Sequence, residues 1–452
     1  MDSHTLLVFI FSAGLARLLF IWAKAKTGGS ATKRPPGPPG WPVVGNMFDL
    51  GALPHQTMYK MKAMYGPLLW LQLGSVNTMV VQSPKVAAEL FKNHDVAFAG
   101  RKVPDGLTAF HFNESAMGMN TFGAYWRVLR RICSMEFSVN KRMNETVDIR
   151  RKCADNMIRW IEEEAAASRA NGGTGEVQLN RLLFLMAFNL LGNLMFSRDL
   201  FDSESLDGKE FFNCMNKIME LVGTPNVADF LPFLKWLDPM KIKRNMVREM
   251  TKTMKIVSKF VKERIEEKQT GKQRAKKDFL DVLLEYSSGD GKDGPDKFTV
   301  HNVNIVIMEM FLAGSDTTSI SIEWSFTELL RNPRCMKKLQ EEIDRVVGLN
   351  RKVEESDMDQ LPYLQSVVKE TLRLHPPAPL LLPRRRMCVG FPLAHRVIHL
   401  ELATLVQTFD WELSGGVTPE TMDMQESLGI TLRKKVPVRA IPKKRKFVSM
   451  ET

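Results

Sequence analysis

Val303-Asn304-Ile305-Val306-Ile307-Met308-Glu309-Met310-Phe311-Leu312-Ala313-Gly314-Ser315-Asp316-Thr317-Thr318 decides the fold. It is the middle of a helical pattern from Phe298 to about Arg331. At 1.5 Å per residue that helix is roughly 50 Å long. Val303 to Ala313 is apolar almost all round, so the helix is buried on every side. At its end stand a small pair, Ala313–Gly314, and an acid beside a hydroxyl, Asp316–Thr317. Glycine in a helix interior costs about 1 kcal/mol relative to alanine. A buried acid costs more unless it is paired. Broken rules of this kind mark sites: the small pair admits a close approach, and the polar pair puts a proton carrier and a hydroxyl beside it. The plain alternative is a kinked packing helix with a satisfied polar pair.

Outward from this helix the chain is mainly helical. Asn332-Pro333 stops it, and an amphipathic charged segment follows from Met336 to Val347. Leu361 to His375 reads as another helix, ended by Pro376 and Pro377, with Glu370 and Arg373 three apart on one face among apolar neighbours. That spacing predicts a partly buried ion pair. Helical patterns also dominate from Ala124 to about Arg264, where Trp126 and Arg130 share a face. Indole and guanidinium together suit an anionic group; an ordinary cation–π pair is the alternative. Asp278 to Tyr286 reads as a short helix. Leu69–Leu73 and Thr78–Gln82 read as two strands around the turn Gly74–Asn77, and Pro84–Asn93 as a helix. Arg101 to Gly123 has no clear period and reads as a long irregular loop, often a functional feature. The segment 435–441 alternates like a strand.

Arg384-Arg385-Arg386-Met387-Cys388-Val389-Gly390 leads into a last helix, set by Leu393, Val397, Ile398, Leu400, Leu405 and Val406. A thiol at a helix N-terminus beside arginines is pushed toward the thiolate. A thiolate is a nucleophile or a metal ligand, haem iron included; a half-buried structural cysteine is the alternative. The five cysteines form no CxxC pair, so neither a disulfide framework nor a zinc site is indicated.

Leu6 to Trp22 is apolar except for Arg17, near the roughly 17–25 residues that span a bilayer. Asp2 precedes it and Lys24, Lys26, Lys33 and Arg34 follow, so the positive-inside rule leaves the body in the cytosol. Pro35-Pro36-Gly37-Pro38-Pro39-Gly40 then reads as a semi-rigid spacer. The net charge of +12 suits anionic lipid or an acidic partner. Lys and Arg are dispersed without an aromatic-interleaved patch, which argues against nucleic acid.

Together the anchor, the proline hinge, Trp126…Arg130, Ala313–Thr318, Glu370…Arg373 and Cys388-Val389-Gly390 resemble a plant microsomal cytochrome P-450, in that family's order and over the whole chain. The resemblance implies a mainly α fold with small β-sheets: one haem domain at 47–452, behind a membrane anchor at 1–23 and a hinge at 24–46. It implies a haem-dependent monooxygenase, holding haem b and using O2 and electrons from an NADPH-dependent reductase. It implies an endoplasmic reticulum membrane location, with membrane lipid, reductase and a small lipophilic substrate as partners. Residue by residue, Cys388 matches the axial thiolate. Trp126, Arg130 and Arg386 match haem-propionate donors. Ala313 and Gly314 match the opening over the iron, Asp316 and Thr317 the acid–alcohol pair that relays protons, and Glu370 with Arg373 the structural pair behind the haem. Phe110, Phe112, Met117, Asn304, Ile305, Met308 and the turn Leu428–Ile430 match substrate-contact regions. The branch it resembles hydroxylates monoterpenoids, with flavonoid hydroxylases as neighbours.

One departure is specific. Glu370 and Cys388 lie 18 positions apart, several times closer than in the family. Leu381 and Arg384 stand where the family has Phe and Gly. The join falls at 383–386, so the expectation is an internally truncated haem domain that binds haem poorly, or an inactive variant.

Overall fold

The computed structural model describes residues 34–271, 276–287, 294–380 and 387–445. The expected anchor at 6–22, together with Leu381, Arg384 and Arg386, lies outside the described residues. The chain divides into two compact units. Helices are numbered in chain order, leaving out those of a single turn.

The first unit takes residues 1–99, 225–242 and 382–385. Among its described residues, helix α1 (Pro54–Tyr65) precedes an antiparallel hairpin, β1 (Leu68–Leu73) and β2 (Val76–Val81), and then helix α2 (Pro84–Asn93). The turn is only Gly74–Ser75, shorter than expected, because Val76 already pairs with Leu73. Gly74 has φ of +55°, and an added Cβ would lie 2.5 Å from the Phe230 carbonyl, so only glycine serves there. Met58, Met61, Leu69 and Leu71 form this unit's core. The proline segment lies against the hairpin, the Trp70 N–H donating to the Pro36 carbonyl at 2.9 Å.

The second unit takes 100–224, 243–381 and 386–452. Its helices are α3 (Ala124–Phe137), α4 (Val147–Ala170), α5 (Leu179–Phe196), α6 (Leu206–Gly223), α7 (Ile242–Gln269, whose first residue counts with the other unit), α8 (Phe279–Glu285), α9 (Val300–Arg331), α10 (Pro333–Val346), α11 (Pro362–Leu374) and α12 (Phe391–Thr408). Strands β3 (Val177–Gln178), β4 (Phe409–Leu413) and β7 (Arg439–Lys444) form an antiparallel sheet in the order β3-β7-β4, and β5 (Glu426–Leu428) pairs with β6 (Leu432–Lys434). The expected irregular loop contains a 3-10 segment, Asp105–His111, and one helical turn, Phe112–Ser115.

Helix α9 is the long helix read from the sequence. Thr299 and Asn302 cap it reciprocally, the Asn302 N–H donating to Thr299 Oγ1 at 3.1 Å and the Thr299 N–H to Asn302 Oδ1 at 3.0 Å. It packs on α5, which is apolar except for Asn180, Arg181, Asn189 and Asn193 and is buried from Leu182 to Phe196. The two meet through aromatic rings, Phe188 on Phe311 at 4.3 Å. An added Cβ on Gly314 would lie 2.8 Å from Leu191 Cδ1, so the small pair admits α5 itself to close range. The hydroxyls of Ser321, Ser325 and Thr327 bond to carbonyls one turn back, which satisfies them inside the core. Past the site, the Trp324 indole donates to the Leu432 carbonyl at 3.1 Å and stacks on His375 at 3.8 Å, fixing the β5–β6 hairpin to α9.

Candidate active site

A cavity of ≈ 260 Å³ in the second unit joins Cys388 and Gly390 at the entry to α12, Trp126 and Arg130 of α3, and Ala313, Gly314 and Thr317 of α9. Ala313 is exposed in mid-helix because the cavity reaches it. Leu190, Leu191, Met310, Leu393 and Val397 make the lining largely apolar. Of the regions expected to touch substrate, Met117 lines the cavity, whereas Phe112, Asn304, Ile305 and Met308 are buried in packing.

Cys388 is an exposed free thiol two residues before Gly390, the N-cap of α12. The carbonyls on both sides of it are tied down: Met387 O accepts from the Arg130 guanidinium, and Val389 O from the Ser138 hydroxyl. Both donors come from α3 and its C-cap. Sequence reasoning named Arg130 and missed Ser138; a serine at a helix end carries no signal of a partner 251 residues away.

Trp126 is buried, and its indole N–H donates to the Met117 carbonyl at 3.0 Å. The two expected propionate donors that can be placed therefore both spend a hydrogen bond on backbone carbonyls. Thr317 donates from Oγ1 to the Ala313 carbonyl at 2.6 Å, one turn back on its own helix.

Asp316 is turned elsewhere. It is not on the cavity wall; its carboxylate accepts from Thr431 Oγ1 at 2.7 Å and from Arg433 Nη2 at 2.5 Å. Successive helix positions differ by about 100°, so Asp316 and Thr317 cannot face one point. A buried carboxylate also needs partners, and the β5–β6 hairpin supplies them. Burial nonetheless raises its pKa above the usual carboxylate value, outweighing Arg433 and Thr431.

Glu370 and Arg373 are likewise placed differently from the partly buried pair read from the sequence. Arg373 donates from Nε and Nη2 to the Glu370 carboxylate at 2.7 and 2.6 Å, but the side chains are 66% and 55% exposed. The ion pair forms because the i, i+3 spacing brings it together, with more than half of each side chain open to water.

Glu309 was overlooked. It is buried on the cavity wall and accepts the N–H groups of Met117 and Gly118 at 2.6 and 2.5 Å. An acid in the apolar run was the available signal.

Residues 35–385 match the family described as cytochrome P450, a match that stops short of Cys388. Iridoid oxidase from Catharanthus roseus is 59% identical, with 98% of each chain covered. That alignment runs over 508 positions against a chain of 452 residues, so the difference, at least 56 positions, is sequence the relative has and this chain lacks. Geraniol 8-hydroxylase from the same plant is 33% identical, over 90% of this chain and 93% of its own. A zebra fish cytochrome P450 structure with progesterone superposes with a TM-score of 0.70 at 21% identity, covering 87% of this chain and 99% of that one, which bears on fold alone. The chain thus belongs to the cytochrome P450 family, as an oxidoreductase of the plant monoterpenoid-hydroxylase branch.

Proposed function

We propose that the ≈ 260 Å³ cavity is a haem-thiolate site, and that the chain's reaction is hydroxylation of a small lipophilic plant metabolite of the terpenoid or phenolic class. The observation that carries this is the meeting of Cys388 with Ala313, Gly314 and Thr317 in one apolar cavity. The donor set fits haem b: a thiol at a helix entry, a guanidinium and an indole beside it, and apolar walls. Bound haem supplies reductive activation of O2, with the thiolate's electron push favouring O–O cleavage. The chain's own residues do the rest. Cys388 would hold the iron, its own position kept by the Arg130 and Ser138 bonds to its neighbours' carbonyls. Trp126, Arg130 and Arg386 would be the donors to the haem propionates. Thr317 holds a proton at Oγ1 on the cavity wall. Asp316 acts from behind, fixing this stretch of α9 through Thr431 and Arg433. Leu190, Leu191 and Met310 exclude water and select an apolar substrate.

Electrons come from an NADPH-dependent reductase, which the net charge of +12 favours through complementary charge. Residues 1–23 anchor the chain in the endoplasmic reticulum membrane, 24–46 form the hinge, and 47–452 face the cytosol as the haem domain.

A second reading, a membrane-anchored form without stable haem, is favoured by the exposed Glu370–Arg373 pair. We place the missing sequence between Glu370 and Cys388, where it would cover that pair. The bonds from Trp126 and Arg130 to backbone carbonyls support the same reading, since haem propionates would compete for them. The reduced, CO-treated difference spectrum of the membrane fraction separates the two. A thiolate-type Soret band, absent in Cys388→Ala, supports the monooxygenase; a folded protein with no band supports the haem-free form.

A further inference from the structure

The peptide Met117–Gly118 is fastened at all four of its backbone polar groups. The Met117 N–H donates to Glu309 Oε2 at 2.6 Å and the Gly118 N–H to Glu309 Oε1 at 2.5 Å. The Met117 carbonyl accepts from the Trp126 indole at 3.0 Å, and the Gly118 carbonyl from Arg101 Nη1 at 2.5 Å. Successive N–H groups aimed at one anion form a nest. Bonds to an ionised acceptor are roughly twice as strong as neutral ones. The fit leaves no room at Gly118: an added Cβ would stand 2.7 Å from Glu309 Oε1. Glu309 lies one turn before Ala313 on α9, and Glu309, Met117, Gly118, Arg101 and Trp126 all line the cavity that holds Cys388 and Thr317.

We propose that Glu309 is a positioning residue: its carboxylate fixes the Met117–Gly118 peptide to α9 as a rigid wall of the cavity, and this wall limits the size of the substrate admitted. The size limit rests on the lipophilic-substrate reading above; the fastening does not. Without the carboxylate, the indole and the guanidinium still hold the two carbonyls, but the two N–H groups lose the acceptors that tie them to α9. The loop then swings on its remaining bonds and the cavity widens toward it. In Glu309→Gln the volume is kept while the charge is lost, and an NH2 group replaces one of the two acceptors.

The test is hydrogen–deuterium exchange on the full-length chain in detergent, for the parent, Glu309→Gln, Gly118→Ala and the double variant. The amides of Met117 and Gly118 are expected to exchange at least about tenfold faster in Glu309→Gln, with α5 and α9 unchanged. Gly118→Ala should loosen the same amides, and the double variant should add little to either single one. Unchanged exchange at these amides in Glu309→Gln, or fully additive effects, overturns the fastening. Titration calorimetry with geraniol and with farnesol, a ten-carbon and a fifteen-carbon alcohol, then reads the size limit. The parent should prefer geraniol, and Glu309→Gln should narrow the affinity ratio by about tenfold. A loosened loop with an unchanged ratio overturns the size limit. If the parent binds neither alcohol, the lipophilic-substrate reading fails with the size limit, while the exchange result still decides the fastening.

Discussion

Replacing Glu401 by glutamine should remove one large part of the loss of stability on raising the pH. Glu401 lies on α12, is 1% exposed, and its Oε2 has no hydrogen-bond partner among the described residues. Burial pushes its pKa up to about 8; Arg151 pulls it down, while Asp155 and Glu355 push it further up. In the unfolded chain the group titrates near 4.5. Between these values the folded chain keeps a proton that the unfolded chain releases, so stability falls as pH rises. The contribution is fully present below the unfolded value and is lost as pH climbs through about 8. The separation of the two values caps the loss at roughly 5 kcal/mol. Local rearrangement and water entry reduce the measurable part to about 2–3 kcal/mol between pH 5 and 9. Glutamine has the same shape and cannot ionise. Urea unfolding of the detergent-solubilised chain, followed by tryptophan fluorescence, should give equal stabilities for parent and Glu401→Gln at pH 5. At pH 9 the variant should lead by about 2–3 kcal/mol. Glu323, raised by burial to about 7, adds a like slope to both proteins and cancels in the difference. Parallel pH curves for the two proteins would refute the reasoning, because they would mean that Glu401 is hydrated or paired in solution.

Arg373→Ala should leave the melting temperature unchanged, since the Glu370–Arg373 pair is exposed; a clear fall would show that protein covers it. Arg433→Met should cost about 2–4 kcal/mol in urea unfolding, because it strips the buried Asp316 carboxylate of its cation, and the cost should grow as pH rises and Asp316 ionises. Arg264→Met should cost about 3–5 kcal/mol by the same assay, since Asp278 and Asp281 then sit buried without their shared guanidinium. A thiol reagent should label Cys388 rapidly and Cys133, Cys153 and Cys214 slowly in haem-free protein; haem loading should protect Cys388, and equal labelling with and without haem would remove it as the ligand.

Most of the fold was legible because it follows from local pattern. The apolar run of α9, its stop at Asn332-Pro333 and the start of α12 after Cys388 each fall where periodicity and proline placed them. The site was legible only in part, and the missing part is directional. Spacing put Asp316 next to Thr317, but which of them faces the cavity depends on Thr431 and Arg433, more than a hundred residues on. Spacing paired Glu370 with Arg373, but their burial depends on what lies over them. Ser138 and Glu309 went unread for the same reason, their partners being distant backbone groups that have no identity in sequence. Local order sets which residues can act, and long-range packing sets where they point.

This difference also explains how a chain at least 56 positions shorter than its alignment with a close relative keeps the fold. The second unit's core is α5 against α9, with α12 packed beside them, and the buried side chains of all three are supplied by sequence on either side of the Glu370–Cys388 span. Removing sequence from that span deletes no core side chain of those helices, so their hydrophobic burial survives. On the placement proposed above, what it removes would lie over α11 and ahead of the thiol. Met387 and Phe391 are exposed beside Cys388, Leu374 and Leu380 are exposed near the Glu370–Arg373 pair, and that pair itself faces water. Metal affinity depends on groups that hold the ligand as well as on the ligand. A loss confined to such groups therefore lowers haem affinity far more than it lowers folding stability. Restoring the absent sequence should consequently raise haem content many times over while moving the unfolding midpoint little, and a large rise in both would show that the present core is itself incomplete.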